Sequence, residues 1–296
     1  MARQRVPPGP PAPPPVQRLR LRYAKRGRLR FSSTRDFQRA LERAVRRARL
    51  PMAFSSGFHP HPKISYANAA PTGTASEAEY VEIGLVQRMD PRTVREVLDE
   101  ALPDGLDVLE VVEAGPGSLA EPLEASAWQV EFGCEAAATR PTVGLLTALR
   151  RACEEYLALD VAEVTRTVKG APRTFDTRAA VVRLAVLDVP DGSEPWADPS
   201  SDPGLWVDAT GGSSLTCAIL HMVVRNTTPA VRPDDILTAL RRFTALDFVA
   251  SLRVTRLAQG PLNADATVAD PWPPQSEVTG ARDGDAPTRA DPDVTT

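Results

Sequence analysis

The sequence predicts an α+β chain made of two tandem ferredoxin-like modules, each ordered β-α-β-β-α-β. Three observations lead there. Strands alternate apolar and polar residues, helices between them carry one apolar stripe, and the same element order returns in the second half. Leu19, Leu21 and Tyr23 alternate with Arg18, Arg20 and Arg22, the period of a half-buried strand. Lys25-Arg26-Gly27 reads as a turn, after which Leu29 and Phe31 resume the alternation. Ser33, three residues before Asp36, is placed to cap a helix. Phe37, Ala40, Leu41, Ala44, Val45 and Ala48 then repeat as one helical stripe. Leu50-Pro51 ends that helix, because a residue before proline avoids helical angles. Residues 64–67 and 80–86 read as strands. Asp90-Pro91 opens a helix with Val94, Val97, Leu98 and Ala101 inward, and 108–112 reads as its closing strand.

In the second half, 128–132 reads as a strand, and Arg140-Pro141 opens a helix carrying Leu145, Leu149, Cys153 and Tyr156. Strands at 161–168 and 180–189 flank a basic turn, and 215–224 is a further strand. Arg232-Pro233 opens a helix with Ile236, Leu237 and Leu240, and 248–257 closes the module. The expected bounds are 16–118 and 126–260. The proline-rich lead-in 1–15 and the proline- and acid-rich tail 261–296 lack the apolar content to pack and are expected to be disordered, and the low-complexity insert 190–204 reads as a long loop between two strands.

Hydrophobic residues make up 42% of the 296, enough for a core. No apolar run approaches the ~20 residues of a membrane span, and the N-terminus lacks the apolar stretch of a secretory signal, so a cytoplasmic location without membrane contact is expected. Cys134, Cys153 and Cys217 lie far apart and read as small buried hydrophobes. The net charge of −3 hides an asymmetry. Residues 16–63 hold fourteen Lys or Arg against Asp36 and Glu42, whereas 64–140 hold fifteen acids against four arginines. Such a split suggests one face built for an anionic partner.

Arg35, Arg39, Arg43, Arg46 and Arg47 fall opposite the apolar stripe of the first helix. Arg22 and Arg28 stand nearby in sequence. Guanidinium groups stay charged and bind phosphates bidentately, so the row suits a phosphate backbone, structured RNA above all. An acidic protein, or the chain's own acidic middle, would suit it too. The loop after the helix gathers Ser56, Gly57, Phe58, His59, His61 and Lys63 in a turn-rich stretch. His59 and His61 with Lys63 could serve acid-base chemistry on RNA, the alternative reading. The spacing His-x-His specifies a metal only weakly, so no metal is expected. There is no CxxxCxxC for an iron–sulfur cluster and no GxxxxGK[ST] for a nucleotide phosphate, so no cofactor is expected.

The stretch 22–31, then Arg35-Asp36-Phe37, Glu42-Arg43-Ala44, Leu50-Pro51, Ser55-Ser56-Gly57-Phe58, Ser65-Tyr66-Ala67 and Glu79-Tyr80, resembles the opening of the DUF2344 family. Lys169-Gly170 with Phe175-Asp176-Thr177-Arg178 resembles its second signature, and 225–229 with Arg232-Pro233 its third. Lys169, Asp176, Arg178 and Arg232 are site residues on that ground. Asp176 and Arg178 are expected to form an ion pair bracing a turn. The resemblance implies a stand-alone, radical-SAM-linked accessory protein that works beside a separate radical-SAM enzyme. Thr34 and Asn226 stand where histidine is expected in relatives, which weighs against an enzyme in its own right.

Overall fold

The structure, a computed structural model, describes residues 12–135, 142–168, 170–187, 205–207, 213–246 and 251–272. The lead-in before 12, the helix opening at 140–141, Lys169, the insert 190–204 and the tail past 272 lie outside the described residues.

The first half consists of β1 (Gln17–Lys25), α1 (Thr34–Arg47), β2 (Ile64–Ala67), β3 (Ala75–Leu85), α2 (Pro91–Ala101) and β4 (Val108–Glu113). β1 lies between β3 and β4, and β2 pairs with the other edge of β3, every pair antiparallel. The second half consists of β5 (Ala125–Glu135), α3 (Thr142–Leu157), β6 (Glu163–Val168), β7 (Ala171–Asp176), β8 (Val181–Leu187), β9 (Leu205–Val207), β10 (Ser213–Arg225), α4 (Pro233–Phe243) and β11 (Ser251–Gly260). β6 and β7 form a separate hairpin. β10 lies between β5 and β8, and β5 between β10 and β11, again all antiparallel.

The halves share one nine-stranded sheet in the order β4-β1-β3-β11-β5-β10-β8, with β2 on β3 and β9 on β10. The join is a short parallel pairing, Thr255 with Ala75 and Arg256 with Ser76. Two apolar cores result. Leu19, Leu21, Val81, Ile83 and Leu85 meet Phe37, Leu41, Val45, Val94 and Leu98 in one. Val130, Phe132, Leu220 and Met222 meet Leu149, Tyr156, Ile236 and Leu240 in the other. Strand alternation sends Ala78, Tyr80 and Val112 to the opposite face, where Leu119, Leu123 and Trp272 cover them.

Two expectations are corrected here. Residues Gly27–Phe31 form a 3-10 helix, not a resumed strand. Gly27 takes φ +51°, and Leu29 N–H and Ser32 N–H close turns on Arg26 and Leu29 carbonyls. Leu29 reaches the core while Phe31 stays exposed, so a spacing of two is also the spacing of a tight turn. Second, the chain keeps packing beyond 260. Ala269 N–H bonds Pro261 carbonyl, Asp270 pairs with Arg22, and the Trp272 ring meets Tyr80 edge-on at 5.2 Å.

Candidate nucleic-acid interface

The order of α1 follows from its cap and its stripe. Ser33 accepts from Asp36 N–H and Asp36 accepts from Ser33 N–H, a reciprocal capping box. The Ser33 hydroxyl also donates to the Asp36 carboxylate at 2.7 Å, and this bond first, then the one from Ser33 N–H, holds the Asp36 carboxyl below its ordinary range. With Phe37, Ala40, Leu41, Ala44 and Val45 buried, Arg35, Arg39, Arg43, Arg46 and Arg47 must face outward.

Five acids of the middle segment pair away from this row. Arg18 and Arg20 pair with Glu82, Arg22 with Glu110 and Asp270, Arg26 with Glu77 and Asp107, and Arg88 with Glu113. Arg22 thus lies on the opposite face of the sheet from α1, because β1 alternates, and is not part of the helix row. Arg47 donates to the Ala101 carbonyl at the end of α2, a packing role. Arg46 lies 3.6 Å from Glu42 in an exposed pair along the helix. Among the described residues, Arg35 and Arg43 have no acidic partner, and Arg39 feels only the capping Asp36. Arg28 is exposed on the 3-10 turn.

The loop after α1 folds back on itself. Phe54 bridges Pro62, Ser55 N–H donates to the His61 carbonyl, and His61 N–H donates to the Ser55 hydroxyl. Gly57 at the tip takes φ +140°, which disfavours a side chain. Phe54 and Phe58 are 47% and 57% exposed, so the loop offers two ring faces to solvent. Lys63 ammonium donates to the Pro13 carbonyl and Ser56 hydroxyl accepts from Ala12 N–H, so both hold residues 12–13 against the loop. His59 and His61 are exposed, and among the described residues neither imidazole has a partner to fix its tautomer.

Between the loop and the C-terminal half of α1 lies an open groove of about 500 Å³. Buried Val45, Leu50 and Met52 form its floor, Phe54, Pro60 and Pro62 its wall, and Glu42, Arg46, Arg49 and His61 its polar rim. Burial, with some help from Glu42, pushes the neighbouring Tyr66 hydroxyl up to about 12. The structure thus brings together Arg46, His61 and, along the same helix, Arg35, Arg39 and Arg43. Sequence reasoning missed Glu42, Arg49 and Met52 as groove residues. The spacing 42, 45, 46, 49 marks one flank of a helix and was the available signal.

The second signature is elsewhere, and its ion pair is a correction. Asp176 accepts from the N–H groups of Ala162, Arg178 and Ala179. Arg178 donates to the carbonyls of Leu157 and Val181. Each side chain satisfies backbone groups left open at turn and helix ends, which a salt bridge between them would forgo. Arg232 is exposed at the start of α4, where its N–H donates to Asp235 at 2.8 Å. All these contacts stay within the second half.

A buried charge cluster also escaped notice. Arg256 pairs with Glu79 and donates to the Asn68 carbonyl, with its guanidinium over the Trp128 ring. Lys25 beside it is bonded to the Pro71 carbonyl, and burial lowers its affinity for a proton against the pull of Glu79. Among the described residues, no three His, Cys, Asp or Glu gather as a metal would require, and no helix is long and apolar enough to cross a membrane.

Fold and site together define an α+β protein that sets a basic helix beside an open groove on one end of a continuous sheet. The chain belongs to the DUF2344 family, described as an uncharacterized protein conserved in bacteria, whose profile matches residues 18–233. A crystal structure of an unknown protein from Galdieria sulphuraria is similar at 14% identity, covering 81% of this chain and 98% of that one, with a TM-score of 0.20. No curated protein matches.

Proposed function

We propose that this chain is an RNA-binding accessory module that holds its RNA on α1 and the adjoining loop and works beside a separate radical-SAM enzyme. The carrying observation is the row Arg35, Arg39 and Arg43, which makes no ion pair among the described residues while the arginines of β1 are neutralised. A guanidinium every turn of a helix offers repeated phosphate contacts. Exposed Phe54 on the groove wall, with exposed Phe58 in the same loop, offers a ring face on which unpaired bases stack. The radical-SAM partner rests on the resemblance of the sequence signatures. The tandem ferredoxin-like reading belongs with this proposal. It is supported by the strand orders β4-β1-β3-β2 and β11-β5-β10-β8, each a helix-linked set of antiparallel neighbours.

Titration of single-stranded and hairpin RNA against salt tests it. Binding should weaken steeply as salt rises, because each neutralised phosphate releases counterions. Replacing Arg35, Arg39 and Arg43 with glutamine should lower affinity equally for unrelated sequences and flatten the salt slope. Salt-independent binding, or an unchanged triple variant, ends the reading. A pull-down from native cells with nuclease treatment then separates a protein partner from an RNA-bridged one.

A further inference from the structure

We infer that the groove between α1 and the 54–62 loop receives one unstacked guanine of the bound strand, read by the Glu42 carboxylate. The inference rests on the RNA-binding reading above. Its starting point is an anomaly of charge. Glu42 is the one acid on the outward side of an arginine-rich helix apart from the capping Asp36, and it stands on the groove rim. A carboxylate there weakens phosphate binding and, beyond its loose pair with Arg46, suits a ligand that donates hydrogen bonds.

Its oxygens accept no side-chain hydrogen bond among the described residues. The Arg46 guanidinium approaches Glu42 Oε2 only to 3.6 Å, longer than a hydrogen bond, while Arg46 Nε is tied to the Glu42 backbone carbonyl at 3.1 Å. The guanidinium is thereby parked beside the carboxylate, facing the same groove. Below them the buried Met52 gives an apolar floor, and the exposed Phe54 ring gives a wall on which a base can stack. A cavity of about 500 Å³ is ample for a base with its sugar left outside.

Among the four bases, guanine alone presents two adjacent donors, N1–H and N2–H, which match the two oxygens of one carboxylate. Its O6, next to them, accepts from a guanidinium. Adenine and cytosine each offer a single amino donor beside a ring acceptor that faces Glu42 unfavourably, and uracil offers one imino donor between two carbonyls. The groove therefore selects by the Watson–Crick edge, while the arginine row holds the backbone regardless of sequence.

The test uses the full chain and the pentaribonucleotides UUGUU, UUAUU, UUCUU and UUIUU, the last with inosine, which lacks the N2 amino group. UUGUU should bind roughly tenfold or more tighter than the other three, the discrimination of a good bidentate pair. Glu42→Gln should erase that preference and leave UUAUU binding unchanged or slightly stronger, with helix content by circular dichroism preserved. Met52→Trp, which fills the groove floor, should lose the same preference by a different route. Equal binding of all four oligomers, with Glu42→Gln indifferent, overturns the guanine site and leaves the RNA reading standing. Absence of binding by any oligomer or hairpin overturns both. GMP binding as tightly as UUGUU would make this a mononucleotide site and overturn the single-strand inference.

Discussion

Two side chains show how residue-level assignments turn on geometry. Asp176 and Arg178, two apart in sequence, suggest an ion pair, yet each binds backbone in its own direction. Asp176→Ala would strand three N–H groups, at a cost of roughly 1–3 kcal/mol for each left without water. Chemical denaturation should therefore show a large loss, whereas Asp176→Asn, which keeps an acceptor oxygen, should retain much of the stability. His221 on β10 gives a pH prediction. Burial first, then the charge of Arg183, lowers its proton affinity in the fold. A depressed folded value means the unfolded chain binds the proton more readily. The stabilisation is therefore complete above the ordinary value near 6.5 and is lost as pH falls through the lower folded value. Unfolding melts between pH 7 and 5 should decline more steeply for the wild type than for His221→Gln. Parallel curves would mean that His221 is solvated in solution.

Among elements, α1 carries both the buried stripe and the arginine row of the proposed interface, and the two are separable because they lie on opposite faces. Leu41 is fully buried among β1 and β3 residues, so Leu41→Ala should cost roughly 2–5 kcal/mol and lower the melting temperature. The Arg35, Arg39 and Arg43 to glutamine variant should melt within a degree or two of the wild type, since those side chains are exposed and glutamine favours helix. A triple variant that unfolds would show that the arginines serve the fold. The adjoining loop was legible as a special stretch from its Gly, Pro, Phe and His content. Its fold-back was not, because Phe54 opposite Pro62 is set by backbone pairing and not by side-chain pattern.

At the scale of the molecule the two halves share one large sheet, and their join is electrostatic as well as hydrogen-bonded. Glu79 from the first half and Arg256 from the second are each 3% exposed at the side chain. Removing one partner leaves the other buried and uncompensated, so Glu79→Gln should destabilise by roughly 3–5 kcal/mol. It should do so without splitting the transition, because both cores share the sheet. Two separate transitions by calorimetry would mean that the halves fold independently. Trp272 tests the far end of the described chain: Trp272→Ala should cost about 3 kcal/mol, and no loss would detach the segment 261–272 from the fold.

Periodicity and capping chemistry by themselves determined the α+β class, nearly every strand and helix of the first half, the inward stripe of α1 and hence its outward arginines. Those signals act within a few residues, so they survive in one dimension. Tertiary structure alone decided that Gly27–Phe31 turns, that Arg22 pairs with Glu110 and Asp270, and that the chain packs as far as Trp272. It also decided which arginines remain without acids. That depends on pairs such as Glu79 with Arg256, 177 residues apart, whose meeting is fixed by strand order and by no local pattern.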